Sequence, residues 1–82
     1  RECDFVIARE GRPWQAVQVC WELNERTRSR ELAGLEDAAR TLNTQQFLIL
    51  TYDQRGTAEH GSLSIRIMPV WEWILTPSPA DT

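Results

Sequence analysis

The chain has 82 residues, a net charge of −3, a pI near 5.0 and nine basic residues, all of them arginine. That length holds one domain and excludes a second. The acidic balance is a poor background for nucleic-acid binding, which rests on basic patches. No run approaches the roughly 18 apolar residues of a membrane helix, so no membrane contact is expected. Two cysteines, Cys3 and Cys20, stand far apart. They fit a reduced, cytoplasmic protein better than a secreted disulfide scaffold. The opening Arg1-Glu2-Cys3-Asp4 carries no signal-peptide pattern, and the single methionine is Met68. The expectation is therefore a piece of a longer protein.

Phe5-Val6-Ile7-Ala8 is a short apolar run bounded by charge, which predicts a strand. Glu10-Gly11-Arg12-Pro13 supplies turn residues. A second strand is predicted over Trp14 to Leu23, with Val17, Val19, Trp21 and Leu23 on a core face and Ala16, Gln18, Cys20 and Glu22 on the other. The two strands form an antiparallel hairpin. Its register follows from matching apolar faces: odd residues oppose odd, even oppose even. Asp4 then shares a face with Gln18 and Cys20, while Cys3 and Cys20 fall on opposite faces and form no disulfide.

Asn24 is the expected N-cap of a helix running to about Leu42, with Asn43 just beyond its end. Leu32, Leu35, Ala39 and Leu42 make one apolar stripe, leaving Arg28, Glu36, Asp37 and Arg40 to face water. Gln46 to Tyr52 is a near-continuous apolar run, the pattern of a buried central strand. Strand, helix and strand at this spacing predict a right-handed crossover with parallel strands. Asp53-Gln54-Arg55-Gly56 and His60-Gly61 read as turns. A fourth strand follows, in which Leu63, Ile65 and Ile67 alternate with Ser64, Arg66 and Met68 up to Pro69. Val70 to Leu75 predicts a short closing helix, with Trp71, Ile74 and Leu75 on one side. The whole is an α/β domain over residues 1–75 with a mixed four-stranded sheet, one long helix, a short C-terminal helix and a flexible tail over 76–82.

Several segments carry a family resemblance. They are Glu2-Cys3-Asp4-Phe5-Val6, the apolar strand Ala16-Val17-Gln18-Val19-Cys20 and a helix rich in Arg and Glu leading to Gly34-Leu35. Leu48-Ile49-Leu50-Thr51 and Ile67-Met68-Pro69-Val70-Trp71-Glu72-Trp73 follow. In this order they resemble the C-terminal domain of a family of prokaryotic AAA-type ATPases, a domain similar to the PD-(D/E)XK restriction-endonuclease-like fold. The family's domain has a helix and a strand before the Glu-x-Asp segment, so the resemblance implies a truncated core. In active members of the fold, an Asp and a Glu hold a divalent metal and a Lys positions the attacking water. The resemblance places Asp4 on the metal-binding Asp, Gln18 on the acidic or Gln position and Cys20 on the Lys. A thiol carries no positive charge to orient hydroxide or stabilise a phosphorane, so the implied site is degenerate. Glu22 and Glu2 add nearby carboxylates, making Asp4 and Glu22 weak candidates for Mg²⁺; no other cofactor is expected. As edge-of-sheet residues, the same carboxylates would simply be solvated.

Arg26, Arg28 and Arg30 could grip phosphates, or form a solvated face paired with Glu25 and Glu31. His60 reads as a turn residue. No glycine-rich phosphate loop and no zinc-ligand spacing occurs. Trp71 and Trp73 cannot both point inward from a helix, so one of them is a candidate partner contact. The expected function is a non-catalytic docking domain of an AAA-type ATPase. Its partner would be the ATPase portion of its own full-length chain, and a homo-oligomer is the other possible contact. The rivals are a metal-dependent DNA nuclease using Asp4, Gln18 and Glu22, and an arginine-mediated nucleic-acid binder.

Overall fold

A computed structural model describes residues 4–76. Seven elements follow in order: β1 (Phe5–Arg9), β2 (Arg12–Val19), α1 (Glu25–Leu42), β3 (Gln46–Thr51), β4 (Gly56–His60), β5 (Leu63–Pro69) and α2 (Val70–Leu75). The strands form one mixed sheet in the order β1-β2-β3-β5-β4. The α/β class and the parallel pairing of β2 with β3 across the long helix agree with the sequence pattern. The sheet has five strands rather than four. The additional one, β4, has the sequence Gly-Thr-Ala-Glu-His and buries only Ala58. An edge strand with one buried side chain shows no alternation to read.

The β1–β2 hairpin turns on Glu10 and Gly11, with φ of 54° and 79°. Two positive φ values between the paired Arg9 and Arg12 are the type I′ pattern, whose twist matches that of the strands. Odd residues do oppose odd at Phe5↔Val17 and Ile7↔Gln15, but the parity breaks at Ala8↔Pro13. Trp14 is the extra residue of this bulge. Pro13 has no N–H to give the ladder, which is why it tolerates the irregular position.

Helix α1 begins and ends where its caps predict. The Asn24 side chain accepts from the Arg26 and Thr27 backbone N–H groups, while Thr27 Oγ1 accepts from Asn24 N. Asn43 closes the helix in the left-handed conformation, φ 53°. The helix buries Glu31, Leu32, Gly34, Leu35 and Ala38, with Ala39 and Leu42 partly covered; Arg28, Glu36 and Arg40 are exposed. Asp37 is half-buried and pairs with Arg40.

Two cores lie on the two sides of the sheet. Under α1, Ala16, Cys20, Phe47, Ile49, Ala58, Ile65 and Ile67 meet Leu32, Leu35 and Ala38. On the reverse, Val17, Leu48, Leu50 and Met68 are covered by Ile7, Val70 and Trp73. The face of β2 carrying Ala16, Gln18 and Cys20 is thus the one roofed by the long helix. Trp21, expected on a core face, is 68% exposed because β2 ends at Val19 and α2 does not reach it. The inward side of α2 is also corrected: Val70 and Trp73 pack on the sheet, while Trp71, Ile74 and Leu75 face out. A six-residue helix starting just after Pro69 presents its first and fourth residues to the sheet it has just left. Cys3, Glu2 and the tail beyond Thr76 lie outside the described residues.

Candidate functional site

The residues singled out by the motif meet at the open end of the hairpin. The register Phe5↔Val17 continues into Asp4 opposite Gln18, so β1 and β2 bring the two together. Asp4 N donates to Gln18 Oε1 at 2.7 Å, and Val19 N donates to Asp4 Oδ2 at 2.7 Å. Asp4 is exposed; Gln18 is fully buried.

The other end of Gln18 points to the helix. Its Nε2 donates to Glu31 Oε1 at 2.9 Å, and Glu31 is itself 3% exposed. Glu31 Oε2 lies 3.5 Å from Nε of the exposed Arg30. One amide therefore ties β1, β2 and α1 together. Among the described residues no buried side-chain nitrogen or oxygen lacks a partner. A buried carboxylate is costly unless hydrogen-bonded, and here both oxygens have a polar neighbour.

Apart from Arg30, the remaining candidates do not join this cluster through their functional groups. Cys20 is buried and unoxidised, and its thiol donates to the Glu22 carbonyl at 3.2 Å. Glu22 is exposed on the loop after β2, where its carbonyl also accepts from Thr27 Oγ1. Among the described residues no three His, Cys, Asp or Glu side chains are grouped to hold a metal ion. Arg26, Arg28 and Arg30 stand exposed on the first turns of α1. His60 ends β4 beside the Gly61 turn, with Nε2 3.6 Å from Glu36 Oε1. Trp73 packs its ring 6.0 Å from that of Phe5, and Trp71 is 52% exposed with the Arg55 guanidinium 5.8 Å from its ring centre.

Glu31 was absent from the sequence candidates and read instead as a solvated partner for the arginines. Its burial was legible in the spacing: Glu31, Leu35, Ala38 and Leu42 fall at i, i+4, i+7 and i+11, one helical stripe. An acidic residue in such a stripe needs a polar partner on the facing element, and Gln18 is the polar residue on the facing side of β2.

No protein-family model and no solved structure matches the chain. An uncharacterized protein of the archaeon Methanocaldococcus jannaschii is 36% identical to it over 81 residues, covering 92% of this chain. The chain spans 18% of that relative's length. Among the described residues no helix is long and apolar enough to cross a membrane.

Proposed function

We propose that this domain is a non-catalytic docking module of an AAA-type ATPase, carrying a nuclease-like site that has turned into a structural joint. One observation carries the reading: Gln18 is fully buried and spends both ends of its amide inside the fold, on Asp4 N and Glu31 Oε1. A hard divalent ion needs free oxygen donors. Asp4 Oδ2 already accepts from Val19 N, and Gln18 turns its N–H side to Glu31. Cys20 brings a thiol, engaged with the Glu22 carbonyl, to the place where the resemblance implies a cation. This donor set fits Mg²⁺ poorly, and the reaction has no group to orient hydroxide.

The docking half of the reading is supported by the outward side of α2. Trp71, Ile74 and Leu75 are each more than half exposed and adjacent on one short helix. Exposed aromatic and aliphatic groups in a cluster are the usual composition of a contact surface.

The test has two arms. Plasmid DNA incubated with the protein and Mg²⁺ or Mn²⁺ is expected to remain supercoiled; nicking that disappears on Asp4→Ala would establish the nuclease instead. The ATPase portion of the full-length chain, expressed separately, is expected to bind this domain and to bind Ile74→Ser less tightly. Salt-dependent retardation of DNA, weakened by Arg28→Ala with Arg30→Ala, would favour the arginine-mediated binder.

A further inference from the structure

The loops at one end of β2 and β3 build a second feature, remote from the Gln18 joint in its chemistry. The two strands are parallel neighbours, so both deliver their last residues to the same edge of the sheet. Trp21 and Tyr52 follow them and stack, ring centres 4.4 Å apart with planes inclined at 31°. Both rings remain accessible, at 68% and 53%. Together with Glu22, Asp53 and Gln54 they line a concavity of about 250 Å³. The carboxyl edge of parallel strands is where α/β sheets usually present ligand sites.

The notch is held in shape before anything enters it. Gln54 Oε1 accepts from Leu23 N at 2.7 Å, and Gln54 Nε2 donates to Leu23 O at 2.9 Å. Thr51 Oγ1 accepts from Gln54 N and donates to Gln54 O, while Tyr52 N donates to Trp21 O. The two loops are therefore locked to each other through backbone and amide groups. Neither aromatic ring nor carboxylate is used in that lock. Among the described residues Glu22 and Asp53 take part in no ion pair.

The chain also shows what its tryptophans accept. The Arg9 guanidinium lies 5.3 Å from the Trp14 ring centre, and that of Arg55 lies 5.8 Å from Trp71. Trp73 is covered by Phe5. Trp21, the most exposed of the large apolar side chains after Leu75 and Ile74, has no arginine over it among the described residues, yet stands beside two carboxylates. A planar cation such as guanidinium stacks on an aromatic face and donates bidentate hydrogen bonds to a carboxylate. A phosphate or a nucleic-acid backbone would instead be repelled by Glu22 and Asp53.

We propose that the Trp21–Tyr52 notch is a receptor for an arginine side chain on a partner polypeptide, stacked on the aromatic pair and held by Glu22 and Asp53. This rests on the docking reading for the existence of a partner, but the affinity for guanidinium is testable alone. N-acetyl-arginine amide titrated into the ¹⁵N-labelled chain is expected to shift the Trp21 indole N–H and the Glu22, Tyr52 and Asp53 amides. The neutral isostere N-acetyl-citrulline amide should bind about tenfold more weakly, and Glu22→Gln with Asp53→Asn should weaken arginine to a similar degree. Trp21→Ala should abolish the response while the remaining amide resonances stay in place. An absence of shifts, a citrulline or N-acetyl-lysine response equal to that of arginine, or undiminished binding in the double carboxamide variant would each overturn the proposal. Self-association competed away by N-acetyl-arginine amide would replace the foreign partner with a second copy of this chain. Failure of the ATPase portion to bind, with arginine binding intact, would remove the docking reading and leave the receptor.

Discussion

The two faces of the sheet are built to different standards. The face under α1 is closed: an 18-residue helix lies across it, and the polar groups it covers are paired through Gln18 and Glu31. The opposite face has a small core of Val17, Leu48, Leu50 and Met68 and only a six-residue helix over it. Around that core, Phe5, Val19, Trp21, Tyr52, Trp71, Ile74 and Leu75 keep a third or more of their surface in water. The closed face carries the residues that resemble a catalytic motif, yet those residues hold the fold together. The open face carries none of that motif and has the surface that a partner could use. A motif's location in sequence says little about its role until burial is known.

Breaking the closed face should have the largest effects. Leu35→Ala removes a fully buried side chain at the helix–sheet contact and should cost about 3–5 kcal/mol in urea unfolding. The contrast would collapse if this variant were as stable as the parent. Gln18→Glu supplies the acid that the nuclease resemblance implies but sets two buried carboxylates face to face, where Gln18 Nε2 now donates to Glu31. It should cost about 3 kcal/mol near neutral pH. Repulsion raises the folded-state pKa of that pair above its unfolded value, so the loss should shrink as pH falls and one carboxyl takes up a proton. Adding Glu31→Gln to Gln18→Glu returns one donor and one acceptor to the joint and should recover most of the stability. No recovery would mean that the joint depends on more than complementary pairing.

Smaller effects test the local signals. Asn24→Ala removes the acceptor for two backbone N–H groups at the start of α1 and should cost about 1 kcal/mol. On the open face, Ile74→Ser should change unfolding free energy by less than about 0.5 kcal/mol, because the side chain is already 69% exposed. A large destabilisation there would show that α2 is packed more tightly than the exposure of its outer residues implies.

Much of the architecture was legible in the residues because it rests on local chemistry. The capping asparagines marked both ends of α1 and the apolar run from Phe47 to Leu50 marked the central strand. Glu10-Gly11-Arg12-Pro13 marked the hairpin, although only Glu10 and Gly11 form its turn and Arg12 and Pro13 already pair within β2. Strand β4 was not legible, since Gly56–His60 is polar and gains its place only by pairing with Leu63–Ile67. The candidate site was half legible. Parity within the hairpin put Asp4 beside Gln18, but the partner that defines Gln18's role sits 13 residues on, across the helix–sheet contact.

The sequence by itself determined the helix, its caps, the hairpin and the central buried strand, because each depends on groups a few residues apart. Tertiary structure decided which face of β2 the long helix covers, and with it whether Gln18 and Cys20 face a ligand or a roof. Val17 and Ala16 are equally buried on opposite faces, so the alternation along β2 has no preferred side. Tertiary structure also left Trp21 and Tyr52 outside, because a strand pattern does not record where the covering helix stops.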